Sequence, residues 1–394
     1  MKQLYILIIM VMFGCANPDV LVELSITNPS DIDREEVINI EVNDLVGPIS
    51  VMDEQGTIMH ESLDLNDDGK IDQVQLLVAL APNETKAIKL QSVGTAPTFA
   101  KLTQAELSHK INGEWKEREY IGGEFKNVKS LSVPSEHTDH SWYVRYEGPG
   151  WESDRVGYRF YLDWRNGMDI FGKTTTDMAL HKIGQDGFDS YHEMQDWGMD
   201  VLKVGKSLGL GAIGRHLNDS LYRFQQTDSV YCEVSKNGLL ESGITTNYYG
   251  WQTEQDKVTL TSEISILARS RMSQHKIRLS APMIGFCTGL VINEQEEYIR
   301  KSDGAFTLLA TYGPNSLNDD ELGMAIIVKT ADIDQVFDDA HSHVVTFKPQ
   351  NNLTYYFLAA WEQEPNGIGN LADFKVYLDQ ELVKLNNPVL SSLK

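Results

Sequence analysis

Between His137 and His216 the chain carries five of its ten histidines (His137, His140, His181, His192, His216) and four of its seven tryptophans. Within that stretch Tyr191-His192-Glu193, followed by Asp196-Trp197, sets an imidazole beside a phenol and carboxylates, the groups that move protons near neutral pH. His192 is the first candidate for a catalytic base or acid, with Tyr191 and His140 as partners. The competing reading is a structural or solvated loop histidine. His-Glu-Met-Gln-Asp lacks the second histidine of a zinc protease, which excludes that chemistry.

Arg155, Arg159 and Arg165 surround Tyr158, Tyr161 and Trp164. A guanidinium can clamp a carboxylate through two parallel hydrogen bonds while aromatic rings pack on sugar faces. Arg155 and Arg159 are therefore substrate-binding candidates; the alternative is ion pairing with Glu152, Asp154, Asp163 and Asp169. Lys203 either neutralises an acidic substrate or is solvated. Trp197, Tyr356 and Trp361 either line a carbohydrate cleft or belong to the core. The run Gly198 to Gly211 lacks phosphate-loop spacing, and there is no Gly-x-Ser-x-Gly elbow.

Asp64, Asn66, Asp68 and Asp72 place oxygens at alternate positions around Gly69, as a calcium loop does, although Gln75 stands where a bidentate Glu is expected. Two readings stay open: a structural calcium, or a tight hairpin turn. No other cofactor is expected. Cys232 and Cys287 fit no metal or redox spacing and are either a disulfide or two small buried residues.

The elements that must hold these groups are strands. Alternating or buried apolar runs at 38–42, 74–80, 85–90, 142–146, 156–162, 259–267, 325–329 and 354–360, divided by Asn, Asp and Gly turns, predict an all-β chain. Helices are expected only at 102–109 and 332–340. So many strands with long loops suit a large two-sheet sandwich better than a small barrel. With no repeat and no linker after residue 30, residues 26–394 are read as one β-sandwich catalytic domain.

Residues 1–14 read as a signal peptide, Cys15 as a lipidated N-terminus, and 15–25 as its linker. A net charge of −23 argues against nucleic-acid partners, which need a basic surface. Membrane association would then run through the lipid alone.

At Tyr146 to Arg155, Arg159 to Lys173 and Tyr191 to Gly211 the sequence resembles an uncharacterised lipoprotein domain family of bacterial polysaccharide-utilisation loci. That resemblance implies a galactose-mutarotase-like β-supersandwich anchored to the outer membrane, on its periplasmic or cell-surface side. It also implies similarity to ulvan oligosaccharide dehydratases, which remove water from a non-reducing-end uronate to leave an unsaturated sugar. The substrate would then be an acidic oligosaccharide. By chemistry, Arg155 or Arg159 would hold its carboxylate, His192 would take the proton, and Tyr191 or His140 would act as acid. The alternatives are a mutarotase or epimerase, and a non-catalytic carbohydrate-binding lipoprotein.

Overall fold

The computed structural model of the protein describes residues 19–186 and 190–393; the expected signal peptide, Cys15 and the start of the expected linker lie outside them. The architecture is all-β, and its named strands pair antiparallel. A nine-stranded sheet runs from Ser130–Ser132 through Ser229–Asn237, Glu241–Thr253, Asp256–Leu267, Met272–Leu279, Asn352–Trp361, Leu322–Lys329 and Phe306–Gly313 to Glu297–Asp303. Two five-stranded sheets contribute side chains to the same core. One is built on Thr103–Glu106, Gly150–Ser153, Val156–Phe160, Met168–Lys173 and Gly198–Asp200; the other centres on Leu210–Leu217, Phe286–Val291 and Ser342–Phe347.

Strand alternation decides which residues enter which layer. In Asn352–Trp361, Tyr355 and Phe357 point into the central core, whereas Leu358 and Ala360 point outward. That outer face is covered by a helix, Leu371–Asn386, through Phe374, Leu378 and Leu382. The N-terminal strands close a second core of their own. A five-stranded and a three-stranded sheet bury Leu24, Ile26, Ile40, Val51, Val74, Leu76, Ile88 and Leu90, and the last strand, Leu390–Leu393, pairs with Val20–Thr27.

Both expected helices are strands. Residues 103–106 pair with Gly150–Ser153, Ala105 facing Trp151, and Ile333–Asp338 pairs with Ser342–Phe347 after a single 3-10 turn, Thr330–Asp332. At 103–106 a sheet partner far along the chain outweighs local propensity, and at Ile333–Asp338 the next strand does so as a hairpin. The helix at Leu371–Asn386 was signalled by Leu371, Phe374, Leu378, Leu382 and Leu385 at helical spacing behind the cap Asn370, whose side chain accepts from Asp373 N–H. The expected strand at 142–146 is instead an irregular turn ending in the 3-10 segment Arg145–Glu147, because Trp142 and Tyr146 take positive φ. Cys232 and Cys287 are both buried free thiols, so no disulfide links them.

Candidate active site

Three neighbouring strands build the site. In their register Arg159 faces Asp169 and Phe171 faces Asp200, so alternation gathers Arg159, Asp169, Phe171 and Asp200 on one side of the sheet. The opposite side sends Tyr158, Phe160 and Ile170 into the central core. Arg159 is only 2% exposed, and all five of its guanidinium N–H donors are engaged. Nε and Nη2 donate to Asp169 Oδ2 at 3.2 and 2.8 Å, and Nη2 also donates to Asp200 Oδ2 at 2.8 Å. Nη1 donates to the Tyr146 carbonyl at 2.9 Å and to the Tyr191 hydroxyl oxygen at 2.8 Å. Tyr161 donates to Asp169 at 3.0 Å, and the rings of Tyr161, Phe171 and Tyr191 lie 5.0 to 5.5 Å from the guanidinium carbon.

Charge in this cluster is unevenly matched. Burial, reinforced by the Asp169 carboxylate, pushes Asp200 well above the ordinary carboxylate range although Arg159 pulls the other way. His192 Nε2 lies 3.6 Å from the same Asp200 oxygen, and its side chain is 37% exposed. A buried acid thus backs an imidazole that reaches solvent. Burial also raises the Tyr191 phenol, against the pull of Arg159. The Tyr191 oxygen accepts from Arg159.

A cavity of about 420 Å³ adjoins this cluster and shares Tyr146 and Glu147 with it. Lys110, Phe125, His140 and Trp142 supply other parts of its wall. Glu147 is 3.9 Å from Arg159 and accepts from Arg165 Nη2 at 2.9 Å. Burial would raise this carboxyl, but the two guanidiniums outweigh it and hold Glu147 below its usual range. The wall is held in sparsely populated backbone conformations: His140, Trp142, Tyr146 and Glu147 all have φ between +39° and +64°. Gly148 is required by close approach, since a Cβ there would sit 1.8 Å from the Phe160 carbonyl oxygen. Lys173 pairs with buried Glu152 at 2.7 Å, and Glu152 also accepts from the Ala179 and Leu180 N–H groups, fixing the chain at those two residues.

Asp139, His140 and Glu147 bring ligand atoms within 4.8 Å of one another. The fit to a cation is poor, because Arg165 already donates charge to Asp139 at 2.7 Å and to Glu147. At the Asp64 loop the oxygens face backbone donors: Asp64 accepts from Asp68 and Gly69 N–H, Asn66 from Asp68 N–H, and Asp72 from Leu65 N–H. It joins the strands His60–Leu63 and Ile71–Leu80 as a hairpin turn.

The structure thus brings together Arg159, Tyr191 and His192, with His140 on the adjoining cavity. Arg155 lines a different cavity, and its guanidinium lies 3.8 Å from Asp154. Lys203 is exposed. Trp197 is buried edge-on against Phe171. Trp361 is buried against Gly172 and donates to Asp320 at 2.6 Å, whereas Tyr356 faces the outer layer and accepts from Gln274. The three arginines do pair with Asp154, Asp169 and Asp163, as the alternative reading has it. Asp169 and Asp200 were missed as site residues; their signal was a lone carboxylate inside an apolar strand, Met168-Asp169-Ile170 and Met199-Asp200-Val201.

A model of the domain of unknown function DUF4861 matches residues 26–390. No curated protein matches the chain in sequence. Among solved structures, an alpha-mannosidase from Enterococcus faecalis V583 is similar in fold, with TM-score 0.50 and 10% identity over 95% of this chain and 46% of that one. A glycosyl hydrolase family 38 protein from Enterococcus faecalis aligns with the same TM-score and identity, over 95% of this chain and 47% of the other. The chain therefore spans about half the length of these structures.

Proposed function

The chain belongs to the DUF4861 family, and from that premise we propose that it is a carbohydrate-active hydro-lyase. Its substrate would be the non-reducing-end uronate of ulvan-type oligosaccharides, met by a lipid-anchored protein at the outer membrane. The observation that carries the reading is the convergence of Tyr191 and the Asp200–His192 pair on one buried guanidinium beside a sugar-sized cavity. His192 takes the C5 proton. The electron pair forms the C4–C5 double bond, the C4–O bond breaks, and the departing hydroxyl leaves as water with a proton from Tyr191 or His140.

Arg159 acts in this scheme as a positioning residue, since none of its donors is left for substrate. The substrate carboxylate falls instead to Lys110 on the cavity wall, a cation that lowers the cost of the developing enolate. The similar structures are described as an alpha-mannosidase and a glycosyl hydrolase. Glycoside hydrolysis commonly uses two carboxyl groups flanking the scissile bond, and here Asp169 and Asp200 are buried against a single guanidinium. That pair therefore does not flank a scissile bond, and the carboxyl groups on the cavity wall are those of Glu124, Glu147 and Asp186.

Incubation with oligosaccharides that carry a saturated uronate at the non-reducing end tests the reading. Ultraviolet absorbance should grow as the mass falls by one water. His192→Ala should lower turnover by about 10²-fold or more while leaving the circular dichroism spectrum unchanged. Interchange of anomers or epimers at constant mass would replace this reaction with a mutarotase or epimerase, and a fully active His192→Ala would remove His192 from it.

A further inference from the structure

A second cavity, about 540 Å³, lies where the N-terminal strand Arg34–Leu45, the turn 268–271 between two strands of the nine-stranded sheet and the C-terminal helix meet. That volume is within the range of small-molecule sites, ~300–1000 Å³. In a chain of net charge −23, its wall nevertheless presents five cations, Arg34, Arg155, Arg269, Arg271 and Lys384, against three carboxylates, Glu35, Glu36 and Glu381.

Most of these cations are committed. Arg34 pairs with Glu36 at 3.0 Å, Lys384 with Glu381 at 2.8 Å, and Arg271 with the buried Glu364 at 2.8 Å. Arg269 holds Asp154 at 2.6 Å and lies 3.3 Å from Glu35. Arg155 is different. Its sole ion-pair contact among the described residues is the long 3.8 Å approach to Asp154, a carboxylate that Arg269 already holds, and its guanidinium donates no hydrogen bond there. Its side chain is 23% exposed, so the fork is open to a ligand. Tyr377, stacked 5.1 Å from the Arg271 guanidinium, adds a ring, and Asn39, Ser270 and Asn366 add uncharged polar groups.

We infer that this cavity is a second binding site, separate from the proposed active site, for the carboxylate or sulfate group of an acidic oligosaccharide, with Arg155 as the bidentate clamp. Guanidinium, aromatic ring and amides together match an anionic polyhydroxylated ligand. A phosphate monoester would need more uncommitted positive charge than one guanidinium provides. The site would hold a longer acidic chain at a place other than where its end is processed.

The test is calorimetric titration of the full-length His192→Ala protein, which does not turn ligand over if the proposed chemistry holds. The probes are a sulfated uronate oligosaccharide, a neutral oligosaccharide of equal length, and inorganic sulfate. The expected result is two binding events for the acidic oligosaccharide, one of them weakened at least tenfold by Arg155→Gln, partly kept in Arg155→Lys, and displaced by sulfate. Neutral oligosaccharide should lack that event. Isotherms unchanged by Arg155→Gln, or equal binding of the neutral sugar, overturn the inference. An Arg155-dependent event in a protein that dehydrates no uronate would reject the proposed reaction and keep this site.

Discussion

Arg155 and Arg159 stand four residues apart, ~13 Å along extended chain, yet they have opposite situations. Arg159 is sealed in, with every donor spent on two carboxylates, a carbonyl and a phenol. Arg155 sits at the edge of a cavity, 3.8 Å from an Asp154 that it shares with Arg269 and within electrostatic reach of Glu364. The difference shows that a guanidinium's role follows from the donors its surroundings leave over. The first shapes a site without touching what enters it, and the second is built to meet something that arrives from outside.

The sharpest way to break this contrast is to delete each charge. Arg159→Ala leaves Asp169 and Asp200 buried without their cation, and should cost about 3–5 kcal/mol in urea unfolding. A loss under ~1 kcal/mol would mean that the cluster is not a committed unit. On the other side, Glu364 behind Arg271 is pushed up to about 7 by burial, against the pull of Arg271. Between its ordinary value of 4.5 and that point the folded chain holds a proton that the unfolded chain has released. Stability should therefore fall as pH rises across that window, by an amount on the order of 1–3 kcal/mol, and Glu364→Gln should flatten the slope. The smallest effect belongs to Arg155→Gln, which should shift unfolding by no more than ~0.5 kcal/mol, because no hydrogen bond is lost. A large loss there would make Arg155 structural and erase the contrast.

The sandwich was legible because strand alternation is local: Val74 to Leu80 and Tyr355 to Ala360 carry it in their own residue types. Legible too was a cluster around Arg159, Tyr191 and His192. Where each arginine went was not, since Asp154 and Asp169 were both visible as partners, and only the sheet register puts Asp169 and Asp200 against one of them. Trp197, Trp361 and Tyr356 look alike in sequence to cleft-lining rings, and what buries them comes from distant strands and loops such as Phe171, Gly172 and Gln274. The helix at Leu371–Asn386 lay within reach of periodicity alone, whereas the strand at Thr103–Glu106 depended on Gly150–Ser153.

The left-handed backbone at His140, Trp142, Tyr146 and Glu147 has a consequence for evolution and engineering. At the exposed His140 that conformation holds back roughly 1 kcal/mol that a glycine would release, whereas at Tyr146 and Glu147 burial and ion pairing outweigh it, so selection for heat resistance alone would drift His140, not the buried pair, towards glycine. Persistence of His140 under such selection would record a demand from catalysis, and laboratory evolution at rising temperature, with and without a required activity, would separate the two pressures.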